Sequence, residues 1–148
     1  MEKEEILLQD YKEFKENLVN LNRTLIFVYD IFLQKKDEFE EENEEELLLK
    51  NNKYSKNDEI EIKNLEEKFK ECLLENDFDN YFDLYRECKS VVEFIEQDLS
   101  LINSCFKMKA DKEVLIYNYA KLDAGKKEIK LILENLDNVI LKISKLKK

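Results

Sequence analysis

The side chains able to do chemistry in this 148-residue chain are carboxylates above all: 35 Asp and Glu against 25 Lys and Arg, with three cysteines, seven tyrosines and no histidine. The missing imidazole removes the commonest general base and the commonest metal ligand, and with it every His-containing catalytic triad. It also removes the Glu-x-x-His pairs from which di-iron bundles are built. Cys72, Cys88 and Cys105 are widely spaced and form no C-x-x-C pair, a poor zinc set and a poor disulfide framework. They read as reduced core thiols of a cytoplasmic protein, inert because burial raises a thiol's pKa. A single glycine, Gly125, and no proline exclude the glycine-rich phosphate loops, which need several glycines in one short stretch.

Carboxylates on facing helices can hold magnesium, and one arrangement of that kind can be tested on the residues. Glu93-x-x-Glu96 and Glu134-x-x-Asp137 imitate the two halves of the pattern used by all-α, magnesium-dependent nucleotide pyrophosphohydrolases. The 37 residues between them are more than that pattern tolerates, and such pairs arise by chance in a chain this acidic. The expectation is therefore a protein that is not an enzyme, with no cofactor and no metal.

A denser group of acids is the run Asp37, Glu38, Glu40, Glu41, Glu42, Glu44, Glu45 and Glu46, followed at once by Leu47, Leu48 and Leu49. Acids late in a helix oppose its dipole, and at i,i+3 and i,i+4 spacing they repel one another. A block of like charge is ordinarily a solvated helix extension or a loop. The functional reading is that the run, with Leu47 and Leu48 as apolar anchors, docks on a basic surface of a partner protein and competes with nucleic acid for it.

Positive charge gathers at the other end. Residues 1–75 carry a net −10, residues 76–100 a net −5 and residues 101–148 a net +5, for a total of −10. Lys126, Lys127, Lys130, Lys142, Lys145, Lys147 and Lys148 read as helix-end and solvent-face lysines. A nucleic-acid binder normally shows a basic domain, so no direct nucleic-acid contact is expected. Tyr81, Phe82 and Tyr85 lie among Asp77, Asp79 and Asp83, which would repel phosphates, so core aromatics are the better reading.

The elements that must position these groups follow from hydrophobic periodicity. Leu7, Tyr11, Phe14, Leu18, Leu21, Leu25, Val28 and Phe32 alternate at steps of four and three, the seam of a helix packed on other helices. Between Leu25 and Leu33 that helix is apolar nearly all round, which predicts that it is surrounded on most sides. Ile62, Leu65, Phe69 and Cys72 make a shorter seam, preceded by a polar stretch over 50–57 that reads as a loop, with Asn57 or Asp58 capping the helix. After a turn over 75–80, with Asp77 or Asp79 as N-cap, Tyr81, Tyr85, Cys88, Val92, Ile95, Leu99, Ile102 and Phe106 form the next seam. Leu115, Tyr119, Leu122, Ile129, Leu133, Leu136, Ile140 and Ile143 form the last. Asp123-Ala124-Gly125 interrupts it as a kink, a close helix crossing or a break.

The reading is thus one all-α domain, residues 1–148, an antiparallel bundle of four or five helices with coiled-coil-like seams. It lacks the roughly 18 uninterrupted apolar residues of a membrane span, and its acidic N-terminus is unlike a signal peptide, so a cytoplasmic location is expected. The expected function is non-catalytic binding of a basic partner protein, as an adaptor, inhibitor or immunity-like factor. The alternatives are a self-assembling homodimer, favoured by the broad apolar circumferences at Leu25–Leu33 and Ile129–Ile143, and the magnesium-dependent pyrophosphohydrolase.

Overall fold

The computed structural model describes residues 2–38, 44–75, 77–107 and 112–146, and the side chains of 2–31, 56–75, 77–102, 117–118 and 120–146. Four helices account for nearly all of them: α1 (Lys3–Glu38), α2 (Glu44–Glu75), α3 (Phe78–Lys107) and α4 (Lys112–Leu146). No strand occurs among the described residues. With no proline and one glycine, nothing in the chain strongly opposes helix propagation, and at 1.5 Å per residue each helix runs for about 45 Å or more.

Cross-helix contacts set the directions. Tyr11 donates a hydrogen bond to the Tyr81 carbonyl at 2.5 Å, and Phe14 meets Tyr85 edge-on at 5.8 Å between ring centroids, so α1 and α3 run parallel. Lys15 pairs with Asp137 and Lys126 lies 3.8 Å from the Tyr29 ring centroid, so α1 and α4 run antiparallel. Lys68 pairs with Glu87 and the Cys72 thiol donates to the Asn80 carbonyl at 3.4 Å, so α2 and α3 also run antiparallel. Helix α4 packs against all three others, whereas α1 and α2 do not meet among the described residues.

That central position determines the apolar arc of α4. Ile129, Ile132, Leu136, Val139 and Ile143 are all fully buried, with Leu131, Leu133 and Ile140 packed beside them. The expected seam of α4 omits Ile132 and Val139, because a single heptad stripe suffices for two neighbours and not for three. The other seams hold in outline where side chains are described: Leu7, Tyr11, Phe14, Leu18 and Leu25 from α1 are buried, as are Leu65, Phe69 and Cys72 from α2 and Tyr81, Cys88, Val92, Ile95 and Ile102 from α3. Leu21, Val28, Ile62, Tyr85 and Leu99 are half-buried, and Leu8 and Leu84, outside the expected seams, are buried as well.

Three local expectations are corrected. Residues 50–57 are helical and belong to α2; asparagine, lysine and serine cost a helix only about 0.7 kcal/mol each at most relative to alanine, too little to break one without glycine or proline. Asp58 consequently caps nothing and lies well inside α2. The apolar stretch of α1 is not surrounded, since Ile26 and Phe27 are 41% and 66% exposed. At the α2–α3 turn, Asp77 is the N-cap: its side chain accepts from the Asp79 amide at 3.3 Å and its carbonyl from the Tyr81 amide at 3.2 Å. Helix α4 passes through Asp123-Ala124-Gly125 unbroken, and the glycine marks a close crossing. A Cβ built there would lie 3.6 Å from both Ile95 Cγ1 and Leu25 Cδ2.

Candidate functional site

The level of Gly125 is also where α2, α3 and α4 leave a cleft of about 250 Å³ between them. Four carboxylates line it: Asp58 and Glu61 from α2, Asp98 from α3 and Glu128 from α4. Lys121 is the one cation among the described residues that line it. Asp58 and Glu61 share a face because residues three apart on a helix are neighbours. Lys121, Gly125 and Glu128, spaced by four and three, form a matching stripe on α4. Phe94 and Tyr117 stand in the walls, 65% and 43% exposed, and the Lys121 ammonium lies 5.5 Å from the Tyr117 ring centroid.

Asp58 is buried, and Lys121 Nζ donates to both of its oxygens, at 3.0 and 3.1 Å. Burial works to lower the Lys121 pKa, but the hydrogen bond to Asp58 and the charges of Asp58, Tyr117 and Asp98 outweigh it and raise it. Glu128 is nine-tenths buried. Burial first, then the charges of Glu61 and Asp58, push its carboxyl up to about 7 against the opposing pull of Lys121. Asp98 is also raised, by burial above all. One oxygen from each of Asp58, Glu61 and Glu128 lies within 4.8 Å of the others. Fully ionised, four carboxylates and one ammonium leave a net −3 in a partly enclosed space, where charge is screened less than at the surface. Such a site attracts protons or another positive group.

One turn before Lys121, on the same stripe of α4, Asn118 is buried with its amide nitrogen unpaired among the described residues.

None of the expected site residues is among the described residues that line the cleft. Asp37 and Glu38 fall in the last residues of α1, and Glu44, Glu45, Glu46, Leu47 and Leu48 at the start of α2. Their side chains, and all of Glu40, Glu41 and Glu42, lie outside the described residues. Glu93 and Glu96 on α3 and Glu134 and Asp137 on α4 are exposed and are not brought together. Ile95 sits opposite Gly125, which leaves Glu134 about 13 Å further along α4 at 1.5 Å per residue. Lys127 pairs with Asp123 at 3.2 Å. Tyr81 is core and Tyr85 half-buried, whereas Phe82 is 43% exposed and stacks on Phe78. Cys72 and Cys88 are buried free thiols.

The sequence carries one signal for the cleft. The α2 seam of Cys72, Phe69, Leu65 and Ile62, carried one step further back, lands on Asp58, a charge at a core position. No family model, curated protein or solved structure matches this chain, so the functional reading rests on the cleft itself.

Proposed function

We propose that the protein is a non-catalytic interaction module that docks a basic, amphipathic segment of a partner protein at the α3 side of the acidic cleft. The observation that carries this is the juxtaposition of unneutralised charge with exposed apolar surface. Phe94, Asp98 and Leu101 form one stripe on α3, spaced by four and three, with Phe94 and Leu101 65% and 63% exposed, beside the surplus carboxylates of Glu61, Asp98 and Glu128. A Lys or Arg side chain entering the cleft meets these acids while its segment's apolar residues cover Phe94 and Leu101. The acidic run Asp37–Glu46 contributes long-range steering, which speeds encounter with a basic partner more than it tightens the complex.

The test is fluorescence anisotropy with a labelled amphipathic peptide alternating leucine and arginine. Binding that weakens about tenfold on Asp98→Asn or Phe94→Ser, a loss of about 1.4 kcal/mol, and that is unchanged by Glu16→Gln or Glu134→Gln, supports docking at the cleft. Equal loss for cleft and remote variants reduces the attraction to overall charge and rejects the reading.

A second reading, self-association through α1, is favoured by the exposed Ile26 and Phe27. Light scattering of the native chain and of Phe27→Glu checks it: a dimer that the substitution dissociates supports it, and a monomer in both cases removes it.

A further inference from the structure

We infer that Asp58, Glu61 and Glu128 form a binding site for one hard divalent cation of the magnesium and calcium class, at the floor of the acidic cleft. The inference goes beyond partner docking and does not depend on it. Two observations carry it together. The first is geometric: one oxygen from each carboxylate lies within 4.8 Å of the other two. An ion placed among three such atoms is roughly 2.8 Å or less from each, and small rotations of Glu61 and Glu128 bring it to the 2.3–2.6 Å of calcium or, with waters retained, toward the shorter contacts of magnesium. Oxygen-only ligands suit hard cations and disfavour zinc and copper, which prefer nitrogen and sulfur.

The second observation is Glu128. It is nine-tenths buried, lines the cleft, and has no hydrogen bond or ion pair with any described residue. Lys121 is committed to the two oxygens of Asp58. The Glu128 carboxylate faces the open cleft, and a largely buried carboxylate with no protein cation beside it favours a proton or a bound cation. A divalent ion would do for Glu128 and Glu61 what Lys121 does for Asp58. Asp58 can serve both, because a carboxylate offers about four acceptor positions. With Asp98 included, the net −3 of the cleft falls to −1 when the ion enters.

Titration of the intact chain with Mn2+, following the free-ion electron paramagnetic resonance signal, tests this. One ion bound per chain, tighter than about 1 mM and displaced by Mg2+ or Ca2+, is the expected result. Glu61→Gln and Glu128→Gln should each weaken it about tenfold or more, with Glu134→Gln unchanged and circular dichroism showing all three folded. No binding below about 1 mM, or binding indifferent to both substitutions in folded protein, overturns the inference. The leucine–arginine peptide separates it from docking: peptide binding without Mn2+ binding removes the metal site alone, and Mn2+ binding without peptide binding removes docking alone.

Discussion

Lys121 on α4 grips both carboxylate oxygens of Asp58 on α2, at 3.0 and 3.1 Å, and so ties together two helices that each contribute further acids to the same cleft. The pair has a structural role as well as an electrostatic one. Asp58 occupies the place on α2 where the apolar seam would continue, so its charge is tolerated only because the ammonium is there.

Replacing Lys121 by methionine should therefore destabilise the fold by roughly 3 kcal/mol, the order seen when one partner of a largely buried pair is removed. The double variant Asp58→Leu with Lys121→Met should recover most of that loss, because it removes both charges and continues the seam. Urea unfolding at pH 7 measures both. Equal instability of the single and double variants would show that the pair is not what the single change breaks.

Glu128 gives the stability of the fold a pH dependence whose sign can be worked out. Its folded-state pKa, pushed up to about 7, lies above the value near 4.3 expected of an unfolded glutamate. Between those values the folded chain holds the proton more tightly than the unfolded one. The stabilisation is complete below about pH 4.3 and is lost as pH rises through about 7, amounting to roughly 4 kcal/mol. Asp98, also raised, acts in the same direction. Glu128→Gln should leave stability unchanged near pH 4 and increase it near pH 8, by about 1–3 kcal/mol. Thermal unfolding of both proteins across that range checks it, and parallel curves would count against a crowded carboxylate at this position.

Gly125→Ala should stabilise the protein by about 0.5–1 kcal/mol, because alanine relieves the entropy cost of a helical glycine. The added Cβ meets Ile95 and Leu25 at 3.6 Å, an ordinary contact. Chemical denaturation measures the effect; a loss of stability would mean that the three-helix crossing is tighter than its geometry indicates.

The described thiols should be unreactive in the folded protein. Burial, the largest cause for both, pushes Cys72 up to about 11 and Cys88 up to about 12, so the thiolate that reacts is scarce near pH 8. In a Cys105→Ser background, iodoacetamide should label neither until urea is added. Rapid labelling of the native chain would show that one of them reaches solvent as a thiolate.

How far the molecule was legible in its residues depends on the range of the interaction. The central stripes of the α1, α2 and α3 seams follow from spacing, because each side chain's burial is set by its helix face, although the buried Leu8 and Leu84 lie beside those stripes and not on them. The cap of α3 was legible as Asp77 or Asp79 for the same local reason, and the hydrogen bonds of Asp77 choose between them. The breadth of α4's apolar arc was not, since Ile132 and Val139 are buried only because three helices converge on it. The loop assigned to 50–57 failed because polar residues permit a turn without requiring one. The cleft is harder still to read. Glu61, Asp98 and Glu128 belong to different helices, and their meeting depends on the register between helices, which spacing within each one does not determine. The charge of Asp58 on the α2 seam was the single local clue.

The central claim is that carboxylates from three helices crowd a cleft holding too little positive charge. Carbon-13 NMR of the Glu128 carboxyl carbon, followed across a pH titration of the cation-free protein, tests it most directly. The account predicts a midpoint of about 7, moving downward when Mg2+ or the basic peptide is added. A midpoint in the ordinary glutamate range near 4.3, insensitive to either addition, would contradict it.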